Sequence, residues 1–495
     1  MRFWPGGSPL DQRFDVVIIG AGVVGCAIAR ELSKYELSVA LVEKAADVAM
    51  GTSGRNSGVV HAGFNSKVGS LMARLCVPGC LRFEQFCREL GVPYRRSGKL
   101  VIGFDEQDVK ALQKLKDDGD QNGCPDLEII DRRRMLELEP NVGGIAALYS
   151  PWTAVMTPYL LTIALAENAL SNGVSVFLNT EVTSISRLKD GMFRVRSRSG
   201  STFDTAWVIN SAGLYADKIA RMVGIDDWRI YPCRGQYFIM DKRATHLINR
   251  PVYPVPRPEI GGLGVHLTTT IDGNILIGPS AEYIDSRDDY ASTEHVMQQL
   301  YHEARQLLPL IERRDFIRDF SGIRPKLVGK AQGGFGDFVI EESAKVPEFI
   351  NLVGIESPGF TASPIIAEMV VGMIRKKQTL SPNPDFNPIR KPSIKFSVLD
   401  EEHKAELVSR EPEYGEIVCR CEGVTLKEVK DALNNPLGVK SVVGVKYRTR
   451  AMMGRCQGGY CFTRIVALLE HEHNIAPEKM CYSGPDSYLF SGRVK

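Results

Sequence analysis

The strongest constraint on the fold of this chain is a glycine-rich turn that follows a short apolar run near its start. Residues 14–19 form a β-branched run that is typical of a buried parallel strand. Gly20, Gly22 and Gly25 then form the pattern G-x-G-x-x-G. The first glycine permits a tight turn, the second lets a pyrophosphate approach the backbone, and the third lets a helix pack on the strand. The stretch therefore predicts a strand–turn–helix unit that binds a dinucleotide.

The residues after the turn complete a βαβ unit. Residues 22–35 carry apolar side chains at helical spacing, and the N-terminus of this helix offers N–H groups to phosphate. Residues 38–42 form a second apolar strand, and Glu43 at its end is placed to accept a hydrogen bond from a ribose hydroxyl. Val24 and Lys44 join the candidate cofactor contacts. The competing interpretation is a tight turn without a ligand, with Glu43 as a solvated charge.

Composition excludes several classes of protein. A chain of 495 residues exceeds one ordinary core, so we expect two or three domains. The formal charge is +2, which gives no reason to expect nucleic acid as a partner. The longest apolar run, residues 365–374, is interrupted by Glu368 and is too short to span a membrane. We therefore expect a cytoplasmic protein without a transmembrane segment, associated with a membrane at most through its surface or a partner.

A loop of small residues, 50–63, follows the predicted βαβ unit. Its glycines let the backbone come close to a ligand, and its hydroxyl groups can donate hydrogen bonds to phosphate or to a cofactor edge. His61 lies near its end and is a candidate for catalysis. The competing interpretation is a flexible surface loop. The candidate cofactor contacts of this loop are Thr52, Ser53, Arg55, Asn56 and Ser57.

Two consecutive motifs show a resemblance to a known family. Residues 56–63 (NSGVVHAG) and residues 67–79 (KVGSLMARLCVPG) are similar to those of the glycine-oxidase and D-amino-acid-oxidase-like superfamily of FAD oxidoreductases. Within it, these motifs resemble L-2-hydroxyglutarate oxidases and dehydrogenases. The layout of residues 14–473 as a whole resembles the FAD subunit of anaerobic glycerol-3-phosphate dehydrogenases. The resemblance implies that the dinucleotide is FAD.

The resemblance also implies contacts later in the chain. The backbone at Val182 would meet the adenine, and Ala212 and Gly213 would touch the flavin at the end of a strand. Arg324, in a G-I-R-P motif, would bind the anionic group of the substrate, for which a guanidinium is well suited. His266 lies on the strand-rich stretch expected to face the substrate. The competing interpretations are a surface ion pair for Arg324 and a structural role for His266. A glycine turn and helix start would face the flavin through Gly354, Gly359, Phe360 and Thr361.

The fold implied by this resemblance is of the α/β class. It combines a discontinuous Rossmann-like FAD-binding domain with a mixed-sheet substrate domain and a small C-terminal α-rich iron–sulfur domain. The expected boundaries are 14–90, 150–222 and 320–376 for the FAD-binding domain, 91–149 and 223–319 for the substrate domain, 377–415 for a proline-containing linker, 416–475 for the iron–sulfur domain and 476–495 for a tail.

Four cysteines near the C-terminus form a candidate metal site. Cys419 and Cys421 form C-x-C, and after a gap of 34 residues Cys456 and Cys461 form C-x4-C. Four thiolates can hold one [2Fe–2S] cluster. Zinc is the rival at the same cysteines, although C-x-C is short for a zinc site. The segment resembles the bacterioferritin-associated ferredoxin-like (BFD-like) [2Fe–2S] domain.

The surroundings of these cysteines support two further expectations. Thr425 and Glu428 form a capping-box pattern, which predicts a helix over residues 426–433. A cluster of arginines nearby, whose positive charge could offset the negative charge of the cluster, consists of Arg420, Arg448, Arg450 and Arg455.

Together these features predict an FAD-dependent dehydrogenase that oxidises an anionic secondary alcohol. His61 is the first candidate for the base and His266 the second, because a neutral imidazole suits proton abstraction near neutral pH. The electrons would pass through the [2Fe–2S] cluster to a partner subunit or carrier. The whole-chain layout favours sn-glycerol 3-phosphate, and the region of His61 favours L-2-hydroxyglutarate. Two further hypotheses stay open at this point: oxidation of an amine or imino acid, and a non-catalytic electron-transfer subunit.

Overall fold

The computed structural model describes residues 11–256 and 264–492. Its central element is the strand Asp11–Ile19, which pairs in parallel with Val39–Val42 on one side and with Thr202–Asn210 on the other. Val16, Val17 and Ile18 of this strand are fully buried. Burial on both faces is what an apolar parallel strand requires, and it explains the run of β-branched residues.

A first sheet is built around this strand. Thr202–Asn210 pairs with an antiparallel hairpin through its first half and in parallel with Phe349–Val353 through its last residues. The strands of the sheet lie in the order Val182–Arg187, Phe193–Ser197, Thr202–Asn210, Asp11–Ile19, Val39–Val42 and Ser175–Phe177, with Phe349–Val353 and then Val339–Glu342 beside Thr202–Asn210.

Four helices pack together beside the first sheet. Val23–Leu32 follows the glycine turn and packs on Pro158–Ser171 and on Gly359–Arg375. Gly359–Arg375 in turn packs on Leu71–Glu89. These helices bury their apolar sides in one continuous core with the sheet. The layers place the glycine turn at the carboxyl ends of the parallel strands, where α/β folds bind their ligands.

A second, mixed sheet stands beside the first. Its strands lie in the order Glu282–Tyr283, Tyr231–Met240, Ile275–Gly278, His266–Thr269, Val252–Pro254, Lys99–Gly103, Ala146–Ser150 and Glu128–Asp131, and Phe316–Lys326 pairs with Tyr231–Met240. The helices Glu106–Gln121, Arg132–Leu138 and Glu294–Leu307 pack on it. The predicted domain boundary at residue 320 falls inside the strand Phe316–Lys326. A short third sheet consists of Val59–Val60, Ala154–Met156 and Tyr94–Arg95.

The segment after Gly359–Arg375 runs over the surface of the first layer. The Asn383 N–H donates to the Lys34 carbonyl, and the Arg390 N–H donates to the Glu89 carbonyl. This is the stretch predicted as a linker, and it also contains the helix Glu401–Arg410. The connection is therefore held along the surface rather than left free.

The C-terminal part is small and helical. The hairpin Ile417–Cys419 and Val424–Thr425 is followed by the helices Leu426–Leu433, Val442–Thr449 and Phe462–His471. The predicted capping box is present, and the helix it opens has the predicted bounds, Leu426–Leu433. Over residues 11–256 and 264–492, every helix is too short or too polar to cross a bilayer.

Candidate active site

The glycine turn adopts the conformation that its sequence predicts. Gly20 has a φ of +104°, and a side chain there would lie 2.7 Å from the carbonyl oxygen of Ser211. The helix Val23–Leu32 begins directly after the turn, and its N-cap, Gly22, makes no side-chain capping bond. A helix N-terminus with few protein partners and a positive dipole end is a binding site for phosphate.

Two polar side chains hold this turn from outside the helix. Glu43, at the end of the second strand, accepts hydrogen bonds from the N–H groups of Ala21 at 2.7 Å and Ala45 at 2.9 Å. Burial raises the pKa of Glu43. The Ser53 hydroxyl accepts a hydrogen bond from the Val23 N–H at 2.9 Å. Glu43 therefore supports the turn in addition to the role toward a ribose that its position predicts.

A large cavity begins at the glycine turn and extends to the second sheet. Its volume is about 1310 Å³, which exceeds the range of about 300–1,000 Å³ for pockets of drug-sized ligands and leaves room for a dinucleotide with a substrate. All three predicted catalytic residues, His61, His266 and Arg324, line it. Most predicted cofactor contacts line it too, namely Gly20, Gly22, Val24, Glu43, Lys44, Thr52, Ser53, Arg55, Asn56, Ser57, Val182, Ala212, Gly213, Gly359 and Phe360.

The remaining three predicted contacts lie behind the wall of the cavity. A side chain at Gly25 would lie 2.0 Å from the carbonyl oxygen of Gly20, so Gly25 lets the helix pack under the turn. Gly354 turns the backbone with a φ of +72°. The Thr361 hydroxyl accepts a hydrogen bond from the His61 N–H at 2.9 Å. These three residues shape and hold the cavity rather than face it.

Two features of the lining fit a bound FAD. The Nε atom of Arg55 is buried and has no hydrogen-bond partner among the described residues, and such a donor in a cavity is one that a ligand can satisfy. A side chain at Gly213 would meet no atom within 4 Å, so the turn after the strand Thr202–Asn210 leaves open space on the cavity side. The residues present therefore fit the cofactor that the sequence predicts.

His61 is held between two segments of the chain. Its backbone is fixed by Thr361, and its Nε2 atom lies 3.3 Å from the Ser357 hydroxyl. Burial, with the positive charge of Lys99 and with His266, lowers the pKa of His61 well below its ordinary value. The imidazole is therefore neutral near pH 7, and its ring nitrogen without a proton can accept one.

His266 lies across the same end of the cavity. Its ring stacks on Tyr253 with 3.7 Å between the ring centroids, and its Nδ1 atom lies 2.9 Å from the Gly264 carbonyl. Because a carbonyl only accepts, this contact assigns the proton to Nδ1 and leaves the lone pair on Nε2. Burial lowers the pKa of His266 to about 3, so this imidazole is also neutral.

Arg324 and Lys99 bring two cations to this end of the cavity. Arg324 lies on the strand Phe316–Lys326 and donates one hydrogen bond to the Ser280 carbonyl. Lys99 begins the strand Lys99–Gly103 and is only 1% exposed. Two cations in one apolar-walled space suit a substrate that carries negative charge.

Lys99 is the site residue that sequence reasoning missed. Its ammonium lies over the rings of Phe64 at 4.3 Å and Tyr253 at 4.4 Å. Burial lowers the pKa of Lys99 to about 7. In the described part of the chain, the groups that act most on its charge are thiols rather than carboxylates, namely those of Cys76, Cys124 and Cys80. A lysine that opens an apolar strand resembles an ordinary strand-end charge, so little in the sequence distinguishes it.

The four late cysteines come together as two pairs. Cys419 and Cys461 are buried and lie within hydrogen-bond reach of each other, and Cys421 and Cys456 are exposed and also form a close pair. The hydrogen bond from Cys461 lowers the pKa of Cys419 to about 6. Against the effect of burial, the hydrogen bond from Cys421 lowers the pKa of Cys456 as well. Each pair therefore holds one thiol that loses its proton readily, as metal binding requires.

This arrangement bears on the choice between iron–sulfur and zinc. Among residues 11–256 and 264–492, no three histidine, cysteine or carboxylate side chains converge as closely as a single metal ion requires. A zinc ion needs four ligands around one centre, whereas a [2Fe–2S] cluster has two irons that each take two cysteines. The two close thiol pairs match the two irons of such a cluster.

The arginines near the cysteines are mostly engaged elsewhere. Arg448 pairs with Asp47 at 2.6 Å, Arg450 pairs with Asp272 at 2.9 Å, and Arg455 pairs with Asp241 at 2.6 Å. These ion pairs bind the C-terminal part to the two large sheets. Arg455 also interacts electrostatically with Cys421, so the role of these arginines toward the charge of the cluster stays a prediction.

Comparison with protein families agrees with this geometry. Residues 15–373 match the family model described as FAD dependent oxidoreductase. Residues 417–471 match the model described as BFD-like [2Fe-2S] binding domain. The predicted cofactors, FAD and a [2Fe–2S] cluster, are thereby confirmed, and the first match covers most of the chain.

Individual relatives support the same assignment. The chain is 40% identical over 485 residues to the glycerol 3-phosphate dehydrogenase of Caloramator mitchellensis, covering 97% of this chain and 99% of the relative. It is 33% identical to the mitochondrial L-2-hydroxyglutarate dehydrogenase of Caenorhabditis elegans, covering 72% of this chain and 92% of the relative. The solved structure of dithionite-reduced L-alpha-glycerophosphate oxidase from Mycoplasma pneumoniae with FAD bound is 32% identical, with a TM-score of 0.72, over 77% of this chain and all of that chain.

Proposed function

This chain belongs to the FAD dependent oxidoreductase family and carries a BFD-like [2Fe-2S] binding domain, and from that membership we propose that it oxidises sn-glycerol 3-phosphate to dihydroxyacetone phosphate. The electrons leave through the [2Fe–2S] cluster to a partner subunit or carrier. That the chain is an FAD-dependent oxidoreductase follows from its family. What we propose beyond the family is the substrate, sn-glycerol 3-phosphate, and the electron acceptor, a partner subunit or carrier.

The observation that carries the proposal is the extent of the match to the Caloramator dehydrogenase. That match covers 97% of this chain, whereas the match to the L-2-hydroxyglutarate dehydrogenase covers 72%. A relative that is named glycerol 3-phosphate dehydrogenase therefore aligns with this chain through the cysteine region as well as through the FAD-dependent oxidoreductase region. Fold alone does not define a substrate, so the residues of the cavity must also suit it.

The anionic group of the substrate would bind at Arg324 and Lys99. Arg324 offers a planar fork that matches phosphate, and Lys99 adds a second positive charge in a space walled by aromatic rings. Phosphate carries up to two negative charges near neutral pH and can satisfy both cations. The carbinol would then lie between this anion site and the two imidazoles.

His61 would take the hydroxyl proton at its Nε2 atom. FAD, when bound, supplies the acceptor for the hydride. In the absence of substrate, burial and Lys99 keep the pKa of His61 low. An anionic substrate would offset the positive charge and raise this pKa, so that the imidazole becomes a stronger base when a substrate is present. His266 is the second candidate, because its Nδ1 proton is held by the Gly264 carbonyl and its Nε2 atom carries the lone pair.

L-2-hydroxyglutarate is the second candidate substrate. The residues around His61 resemble the dehydrogenases of that acid, and one such relative is 33% identical. A dicarboxylate could also satisfy two separated cations, one at each carboxylate. The phosphate of glycerol 3-phosphate would engage both Arg324 and Lys99 with one group, whereas L-2-hydroxyglutarate would engage each cation with a separate carboxylate.

The test uses the full-length protein with its cofactors, purified and kept under anaerobic conditions. Glycerol 3-phosphate, L-2-hydroxyglutarate and proline are added separately, and the flavin absorption band is recorded. Bleaching by glycerol 3-phosphate alone supports the proposal, and bleaching by L-2-hydroxyglutarate alone replaces it with the second candidate. Bleaching by proline would mean amine or imino-acid oxidation. If none of the three bleaches the flavin, the proposal that this chain oxidises these alcohols fails.

A further inference from the structure

Two tyrosines stack across the interface between the catalytic part and the C-terminal part. Tyr159 lies on the helix Pro158–Ser171, and Tyr447 lies on the helix Val442–Thr449. Their ring centroids are 4.6 Å apart and their planes differ by 15°. No step of the proposed alcohol oxidation uses either residue.

Tyr447 reaches the wall of the FAD cavity. A side chain at Gly54 would meet the Tyr447 ring at 3.6 Å, so the ring lies directly behind the turn Thr52–Gly54. Thr52 and Ser53 of this turn line the cavity on its other side. One layer of backbone therefore separates Tyr447 from the space that the cofactor occupies.

Tyr159 reaches the loop that carries two of the four cysteines. Its hydroxyl lies 3.5 Å from the sulfur atom of Met453. The next residue, Gly454, is pressed against Cys421, since a side chain at Gly454 would lie 2.3 Å from the Cys421 Cβ atom. The Gln457 side chain donates hydrogen bonds to the carbonyl oxygens of both Met453 and Gly454, which holds this contact.

The contacts thus form an unbroken series of packed groups from the cavity wall to the cysteines. We propose that the stacked rings of Tyr159 and Tyr447 form the bridge across which electrons pass from the flavin to the cluster. This rests on the electron relay in the proposed function. Alcohol oxidation delivers two electrons and the cluster accepts one at a time, so each electron crosses separately and the tyrosines end each crossing unchanged.

A neighbouring ion pair holds the ring of Tyr447 against the cavity wall. Arg448, next to Tyr447, pairs with Asp47 at 2.6 Å, and the two side chains are 6% and 1% exposed. A buried charge that loses its partner is strongly destabilising, so this pair fixes the helix against the cavity wall. Electron transfer slows steeply as the gap between donor and acceptor widens, and a gap filled by packed atoms conducts better than a void.

The competing explanation is that the two rings only seal the interface. Replacement of each tyrosine by leucine distinguishes the electron bridge from a purely sealing role, because leucine fills space without a conjugated ring. Replacement by phenylalanine keeps the ring and removes the hydroxyl. Tyr414 provides a matched control, since it stacks on Phe396 at 5.8 Å in the C-terminal part and has no place in the series.

The experiment delivers electrons to the flavin without a substrate. A light flash in the presence of EDTA, the sacrificial electron donor, reduces the flavin of the anaerobic holoprotein, and the absorbance and the electron paramagnetic resonance signal of the cluster report its reduction. FAD content, iron content and both reduction potentials are measured for each protein. Wild type, Tyr159→Phe, Tyr447→Phe and Tyr414→Leu should show a fast phase of cluster reduction. Tyr159→Leu and Tyr447→Leu should lose it at unchanged potentials.

Each outcome decides a different claim. If the leucine variants keep the fast phase with both cofactors in place, the bridge is wrong and the relay stands. If the wild-type cluster stays oxidised while the flavin is reduced, the relay itself fails, and the bridge with it. If the phenylalanine variants also lose the fast phase, the hydroxyls take part and passage through the rings alone is overturned.

Discussion

The two ends of the cavity are built in different ways. The core of the dinucleotide end is one continuous stretch, residues 11–45, whose backbone groups are held by Glu43 of that stretch and by Ser53 of the loop that follows it. The histidine end takes single side chains from distant segments. Its members are His61, Lys99, His266 and Arg324.

The difference separates cofactor binding from substrate chemistry. Changes at the dinucleotide end should act through backbone geometry and remove the cofactor. Changes at the histidine end should leave the cofactor bound and alter rate, affinity or pH dependence. Four substitutions test this division.

The largest effect is expected at the glycine turn. In Gly20→Ala, the new methyl group would meet the Ser211 carbonyl at 2.7 Å in a backbone with a φ of +104°. The turn must shift, and we expect loss of bound FAD, measured by the flavin absorbance of the purified protein. Gly173→Ala is the matched control, since Gly173 has a φ of +96° and nothing within 4 Å of the added group. It should cost only backbone strain of about 1–3 kcal/mol. Full FAD occupancy in Gly20→Ala would contradict the backbone explanation.

A large effect without loss of cofactor is expected at His61. His61→Asn removes the proposed base, and flavin reduction by substrate should slow by about 10²–10⁴-fold, the usual contribution of general-base catalysis. Stopped-flow absorbance measures this rate, and FAD content should be normal. His246→Asn, at a histidine remote from the cavity lining, is the control. An unchanged rate in His61→Asn would transfer the role to His266.

A smaller effect is expected at Arg324. Arg324→Lys keeps the charge but loses the planar fork, and substrate affinity should fall by about 10–100-fold, which corresponds to the loss of one charged hydrogen bond of about 1.5–3 kcal/mol. Anaerobic titration of the flavin spectrum measures the affinity. The exposed Arg313, changed to lysine, serves as the control. If only the maximal rate falls and affinity stays, Arg324 does not bind the anion.

The smallest effect is expected in the pH profile of Lys99→Met. Lys99 helps to lower the pKa of His61, so its removal should raise that pKa and move the acid limb of kcat/KM to higher pH. In the wild type, Lys99 loses its charge as the pH rises through about 7 and anion binding should weaken there. The variant should lack this alkaline decline. Lys110→Met on the exposed helix surface is the control, and an unchanged profile in Lys99→Met would exclude Lys99 from the site.

The comparison of the two ends also explains how far the sequence predicted this molecule. The βαβ unit and the helix Leu426–Leu433 depend on glycine positions, apolar periodicity and a capping box, which are local in sequence. Local patterns of this kind are readable without a structure. The glycines and hydroxyl residues of the loop 50–63 predicted a further part of the cavity, and the family resemblance added Val182, Ala212, Gly213 and Arg324.

What the sequence did not predict depends on long-range packing. Lys99 acquires its role only because Phe64 and Tyr253 enclose it. The stacking of Tyr159 on Tyr447 joins residues that lie far apart in the sequence. A charge near the cysteines in sequence can equally pair across a domain interface, as Arg448 does with Asp47.

That ion pair has a consequence for the evolution of the chain. The Mycoplasma oxidase aligns over its whole length with only 77% of this chain, so the catalytic unit exists elsewhere in shorter proteins. Here Arg448 of the C-terminal part pairs with Asp47, whose side chain is 1% exposed, so removal of that part would break a buried ion pair and open this surface to solvent. A shortened version of this chain would therefore present an unpaired carboxylate on a surface that the intact chain keeps closed.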